Sequence, residues 1–155
     1  MSTTLINDLI NRKEIHFGDN VLQIIDLFAR KQESTTKLDD KFFSQYWQAY
    51  AWCAILGFHY EKRIEKAELP NKQSFYFHTI WNGSQDIAHG LILMALGALK
   101  QEDASKMFDS RKLLTIISEH AEGGAKYVLD IKETPGLERK FDSPDDYLLE
   151  LLERK

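Results

Sequence analysis

A chain of 155 residues with 43% hydrophobic and 28% charged side chains has the size and composition of one globular domain, able to bury about two thirds of its unfolded surface. The disordered, collagenous and coiled-coil classes do not fit those values. Twenty basic against twenty-four acidic side chains leave a net charge of -4, so nothing draws the whole molecule to nucleic acid or to an anionic membrane.

The single cysteine, Cys53, cannot close an intrachain disulfide and fits a reducing compartment. The first residues, Met1-Ser-Thr-Thr-Leu-Ile-Asn-Asp8, lack a basic region ahead of an apolar one, and no apolar stretch approaches the ~20 residues of a membrane span. The expectation is one cytoplasmic domain over residues 1–155, all-α and compact, with about five to seven helices.

The first clear helix signal covers residues 19–33, where Val21, Ile24, Ile25 and Phe28 recur at three and four residues and Asp19 or Asn20 can cap. Residues 39–58 carry the strongest pattern, with Phe42, Phe43, Tyr46, Trp47, Tyr50, Ala51, Ala54, Ile55 and Phe58, and with Gly57 near the end. Residues 73–81 mix β-branched and aromatic types and are read as helix, with a short strand as the alternative. After the turn dipeptide Asn82-Gly83, Ser84 is the predicted N-cap of a helix bearing Ile87, Ala88, Leu91, Ile92, Ala95, Leu96 and Leu99.

A fourth helix is predicted from Ser110 through Leu113, Leu114, Ile116 and Ile117 to Tyr127, Val128 and Ile131. Within it the pair Gly123-Gly124 marks a kink, a break or a close helix contact, because glycine costs a helix about 1 kcal/mol relative to alanine. Ser143-Pro144-Asp145-Asp146 then opens a short amphipathic helix carrying Leu148, Leu149, Leu151 and Leu152.

The chemistry-bearing residues form no catalytic set. Asp86 and His89 share a helix face, and Glu119, His120 and Glu122 could add ligands for a metal-dependent hydrolase. The paired Glu-x-x-His helices of a di-metal site are absent, as are His-Glu-x-x-His and a cysteine–histidine quartet. Capping, surface or core roles for these residues are the simpler reading, and no cofactor is expected. Cys53 sits among aromatics as a small buried hydrophobe, and no Gly-x-Ser-x-Gly elbow or phosphate-binding glycine loop occurs.

Two surfaces remain. The stretch 59–72 carries Lys62, Arg63, Lys66 and Lys72 near aromatics, the composition of a single-strand nucleic-acid contact, although three glutamates reduce its net charge to +1. The helix at 39–58 has aromatics on more than one face. Either it is central and surrounded, or Tyr46, Trp47, Tyr50 and Phe58 anchor a protein interface.

Tyr50-Ala-Trp-Cys-Ala-Ile-Leu-Gly-Phe-His-Tyr-Glu-Lys-Arg63, an apolar helix ending in Gly-aromatic and then a basic loop, resembles the small proteins associated with DNA phosphorothioation (Dnd) defence systems. So does Ile117-Ser-Glu-His-Ala-Glu-Gly-Gly124 with the apolar helix after it. The resemblance spans residues 40–152 and departs from the family pattern at His120 and in the acid-rich loop after Arg63. It implies an accessory protein of a DNA-modification or anti-phage locus. The expected function is therefore a non-enzymatic adaptor that docks on larger subunits of such a complex, or on a second copy as a homodimer. Nucleic-acid binding and metal-dependent hydrolysis are the alternatives.

Overall fold

The computed structural model describes residues 2–11, 13–29, 43–65, 73–102 and 109–132. Among them are six helices and one two-stranded sheet: α1 (Ser2–Ile10), β1 (Glu14–Phe17), α2 (Asp19–Phe28), α3 (Tyr46–His59), β2 (Gln73–Tyr76), α4 (Phe77–Gly83), α5 (Gln85–Glu102) and α6 (Ser110–Lys132). The mostly helical architecture agrees with the sequence pattern. Neither α1 nor β1 was predicted, and both are short. Leu5 and Leu9 are buried in α1, and Ile15 and Phe17 in β1.

Helix α6 is the hub, packed against α1, α2, α3, α5 and β1. Its apolar side buries Leu113, Leu114, Ile116, Ile117, Val128 and Ile131. It runs without interruption through Gly123 and Gly124, so of the three readings of that pair the structure selects the close contact.

Helix α2 buries Val21, Ile24, Ile25 and Phe28, the four residues whose spacing announced it. Helix α5 begins where predicted, with the Ser84 hydroxyl accepting from the Ile87 amide at 3.2 Å. Helix α3 starts later than its aromatic pattern suggests. Ser44 and Gln45 lie outside it, Phe43 forms an isolated bridge with Ala29, and Gln48 closes the N-terminus by accepting from the Gln45 amide at 3.1 Å.

Residues 73–81 divide between the two readings. β2 pairs antiparallel with β1, Ile15 opposite Phe75 and Phe17 opposite Gln73, and α4 follows at once. Phe75 faces inward because its ring is needed between Phe17, Tyr46 and Tyr50, whose centroids lie 6.0, 5.3 and 5.2 Å from it. Helical continuity from 73 gives way to this aromatic packing. The amphipathic segment at 143–152 and the start of the aromatic pattern at 39–42 lie outside the described residues. No helix among the described residues is long and apolar enough to cross a membrane.

Candidate functional site

Residues 118–124 of α6 concentrate the polar groups that looked like ligands, and all of them are buried. Each packs against a distant part of the chain. Ser118 Oγ and the Tyr50 hydroxyl share a hydrogen bond of 2.8 Å in the core. Glu119, with its side chain 3% exposed, takes the Arg63 guanidinium in two bonds, from Nε at 2.8 Å and from Nη2 at 2.7 Å. Its backbone carbonyl accepts from the Ile64 amide at 3.0 Å, so the chain after α3 is tied to α6 twice.

His120 donates from Nδ1 to the Ile116 carbonyl at 2.8 Å, and its ring stacks on Phe58 at 4.0 Å and 15°. Glu122 does what a capping residue normally does, but from another helix. α2 is preceded by Gly18, which has no side chain to cap with. The Glu122 carboxylate accepts instead from the amides of Gly18, Asn20 and Val21 at 2.9, 3.2 and 3.1 Å, placing negative charge at a helix N-terminus. Burial pushes its carboxyl above the ordinary range; the three amides oppose that shift, and neighbouring Asp19 adds to it.

The glycines complete the segment. A Cβ at Gly124 would overlap the carbonyl of Cys53, and one at Gly57 the carbonyl of His120, so α3 and α6 meet backbone to backbone. A Cβ at Gly123 would overlap the backbone of Lys62 and Arg63. Cys53 and Tyr50 lie beside this contact, fully buried, and burial raises both well above their ordinary pKa values. Neither is poised as a nucleophile.

The proposed metal set does not assemble. Glu119 is occupied by Arg63 and His120 by Ile116 and Phe58, while Asp86 and His89 are exposed on α5, the His89 ring edge-on to Trp81 at 5.0 Å. Among the described residues no three His, Cys, Asp or Glu side chains cluster as a metal site. The basic loop is also changed. Arg63 belongs to Glu119, Lys62 lies 4.7 Å over the Tyr127 ring, and Lys66 and Lys72 fall outside the described residues.

The interface residues separate sharply. Trp47 and Tyr50 are 4% and 0% exposed and belong to the core. The Trp47 indole fills the space left by Gly83, where a Cβ would collide with its ring, and Tyr50 faces Ser118. Phe58 is half-buried against His120, and only Tyr46, at 39%, is open.

The open side of α3 lies opposite Tyr50, Cys53 and Gly57, the residues that face α6. There Phe43, Trp52, Ile55 and Ile87 of α5 surround a groove of about 420 Å³, with Ala51 beneath and Ser44 and Gln48 at the rim. Among the described residues no charged side chain lines it. Phe43 and Trp52 stand 5.9 Å apart at 54°, and Ile55 is 41% exposed. The signal for this face was available in the sequence, since Gln48 and His59, two polar residues of a nearly all-apolar helix, bracket Trp52 and Ile55 at helical spacing. No family model, curated protein or solved structure matches this chain.

Proposed function

We propose that this protein is a non-enzymatic adaptor that receives an apolar segment of a larger protein subunit in the groove on the outer side of α3. The observation that carries this reading is the groove itself, lined among the described residues by apolar and neutral side chains, with Trp52 and Ile55 held on a helix whose opposite side is locked to α6. Aromatic and aliphatic anchors on a rigid element are the usual centre of a protein interface. The reading is supported by the employment of the buried polar groups of α6 in intramolecular bonds, which takes Glu119, His120 and Glu122 out of any recognition surface. The two segments that resemble the phosphorothioation-linked family point to a DNA-modification or anti-phage complex as the setting.

Site-specific photo-crosslinking tests it. A benzophenone side chain replacing exposed Ile55 in the native host is expected to give one reproducible adduct with a larger protein, lost when Trp52→Ala is added. The same probe at Lys126, which is exposed on α6, is expected to give none. No adduct at position 55, or one indifferent to Trp52→Ala, overturns the reading.

A further inference from the structure

Among the described residues, the polar margin of the groove on α3 consists of Ser44 and Gln48. Both belong to the chain as it enters the helix. Phe43 is held by its parallel bridge to Ala29, with its amide donating to the Phe28 carbonyl at 2.8 Å. Gln45, the residue before α3, has extended backbone angles of φ -139° and ψ 150°. Ser44 stands between them and is exposed.

Peptide planarity decides where the Ser44 main chain points. No peptide bond among the described residues is cis, and across a trans bond the C=O of one residue and the N–H of the next are antiparallel. The bridge engages Phe43 on the side of Ala29, so the Ser44 N–H is directed to the other side. The Gln45 N–H turns back to Gln48 Oε1 at 3.1 Å, so the Ser44 carbonyl is directed away from that bond. Neither main-chain group of Ser44 bonds a described residue. Only its hydroxyl is engaged, donating to Gln48 Oε1 at 3.1 Å.

Gln48 adds a further donor. Its Oε1 receives both the Ser44 hydroxyl and the Gln45 amide, and an N–H donor requires the oxygen of a carboxamide, which fixes the orientation of the group. The two N–H bonds of Nε2 are left over, and no described residue accepts from them. The rim thus offers a main-chain donor, a main-chain acceptor and a carboxamide donor beside the apolar walls of Phe43, Trp52, Ile55 and Ile87.

That combination discriminates between apolar occupants. A helix bonds its own amides and carbonyls to one another except at its ends, so a helix laid in the groove leaves the rim unmatched. An extended segment has an N–H and a C=O to share at its residues and sets alternate side chains on one face. It can pair with Ser44 and fill the groove together, the mode in which main-chain bonds supply affinity and pockets for alternate side chains supply specificity.

We infer that the partner segment is an extended strand with apolar side chains at alternate positions, paired through its main chain to Ser44 and accepting from Gln48 Nε2. This occupant presupposes the recognition role proposed for the groove and gives it a conformation and a chemistry. The strand becomes the third extended stretch beside Ala29 and Phe43.

Nuclear magnetic resonance titration of the isotope-labelled full chain tests this with two probes. One is a pool of capped hexapeptides with leucine, isoleucine, valine or phenylalanine alternating with threonine; the other is a stapled amphipathic helix with the same apolar residues. The hexapeptides are expected to move the Trp52 and Ile55 signals together with the Ser44 amide proton, which shifts downfield and gains protection from exchange. N-methylation of their main chain should abolish binding. Gln48→Glu keeps the oxygen that Ser44 and Gln45 address but carries no donor, so it should weaken the hexapeptides about 10-fold. Its melting temperature should stay the same or rise, because a carboxylate in the first turn favours the helix dipole. Hexapeptides that do not bind, that bind after N-methylation, or that leave the Ser44 amide unmoved overturn the inference, as does preference for the helical probe. Preference for the helix leaves the adaptor reading standing, whereas a missing adduct at position 55 in the host removes that reading whatever the hexapeptides do.

Discussion

Helices α5 and α6 each carry two glycines in their interiors, and the pairs have opposite surroundings. Gly123 and Gly124 are buried where other backbone comes too close for any side chain, whereas Gly90 and Gly97 meet only open space. The same residue, with the same penalty in an isolated helix, is compensated by close packing in one case and by nothing among the described residues in the other. Helix propensity alone does not distinguish them. What distinguishes them is whether a second piece of chain lies within reach.

The comparison is tested most severely through the polar bonds that accompany the α6 contact. Arg63→Ala leaves the Glu119 carboxylate, with its side chain 3% exposed, without the guanidinium that holds it. Removing one member of a buried ion pair costs about 3–5 kcal/mol. A loss of that size in urea denaturation is expected; a loss below about 1 kcal/mol would mean the pair is no better than a surface salt bridge.

Gly124→Ala comes next. Its Cβ would collide with the Cys53 carbonyl and the Gly57 amide nitrogen, and separating two packed helices to admit it should cost about 3 kcal/mol, the upper end for overpacking. If Gly124→Ala instead stabilises the fold, as Gly97→Ala is expected to through helix propensity alone, the contrast between the two helices disappears.

The smallest effect is one of pH. Burial raises the Glu122 carboxyl above its unfolded value, so the folded state binds its proton more tightly than the unfolded state. The stability this contributes is complete below the ordinary glutamate value near 4.3 and is lost as pH rises through the higher folded value. Glu122→Gln, which does not titrate, should flatten that part of a stability-against-pH curve measured by chemical denaturation. A curve unchanged by the substitution would remove Glu122 as its source.

The sequence carried the local part of this architecture well. The spacing of Val21, Ile24, Ile25 and Phe28, the Ser84 cap and the long apolar pattern after Ser110 announced α2, α5 and α6, because each signal is complete within one helix. The start of α3 was misplaced since Phe42 and Phe43 extend its aromatic pattern although Phe43 pairs with Ala29 instead. Glu119, His120 and Glu122 resembled ligands because their partners lie far away in sequence: Arg63 is 56 residues from Glu119, and Gly18 is 104 from Glu122. Trp47 and Tyr50 resembled surface anchors for a related reason. A helix apolar on every side does not announce which side is covered, and the answer depends on Gly83 and Ser118.

The bonds from Glu122 to the start of α2 also have a consequence for synthesis. The cap that α2 lacks locally is translated about a hundred residues after it, and Ser118 of α6, which Tyr50 of α3 bonds, follows 68 residues after Tyr50. At about 5–20 residues per second, the first half of the chain spends several seconds outside the ribosome before its hub exists. During that interval α2 and α3 lack the helix that buries their apolar sides, and commitment to the native topology waits for the emergence of α6.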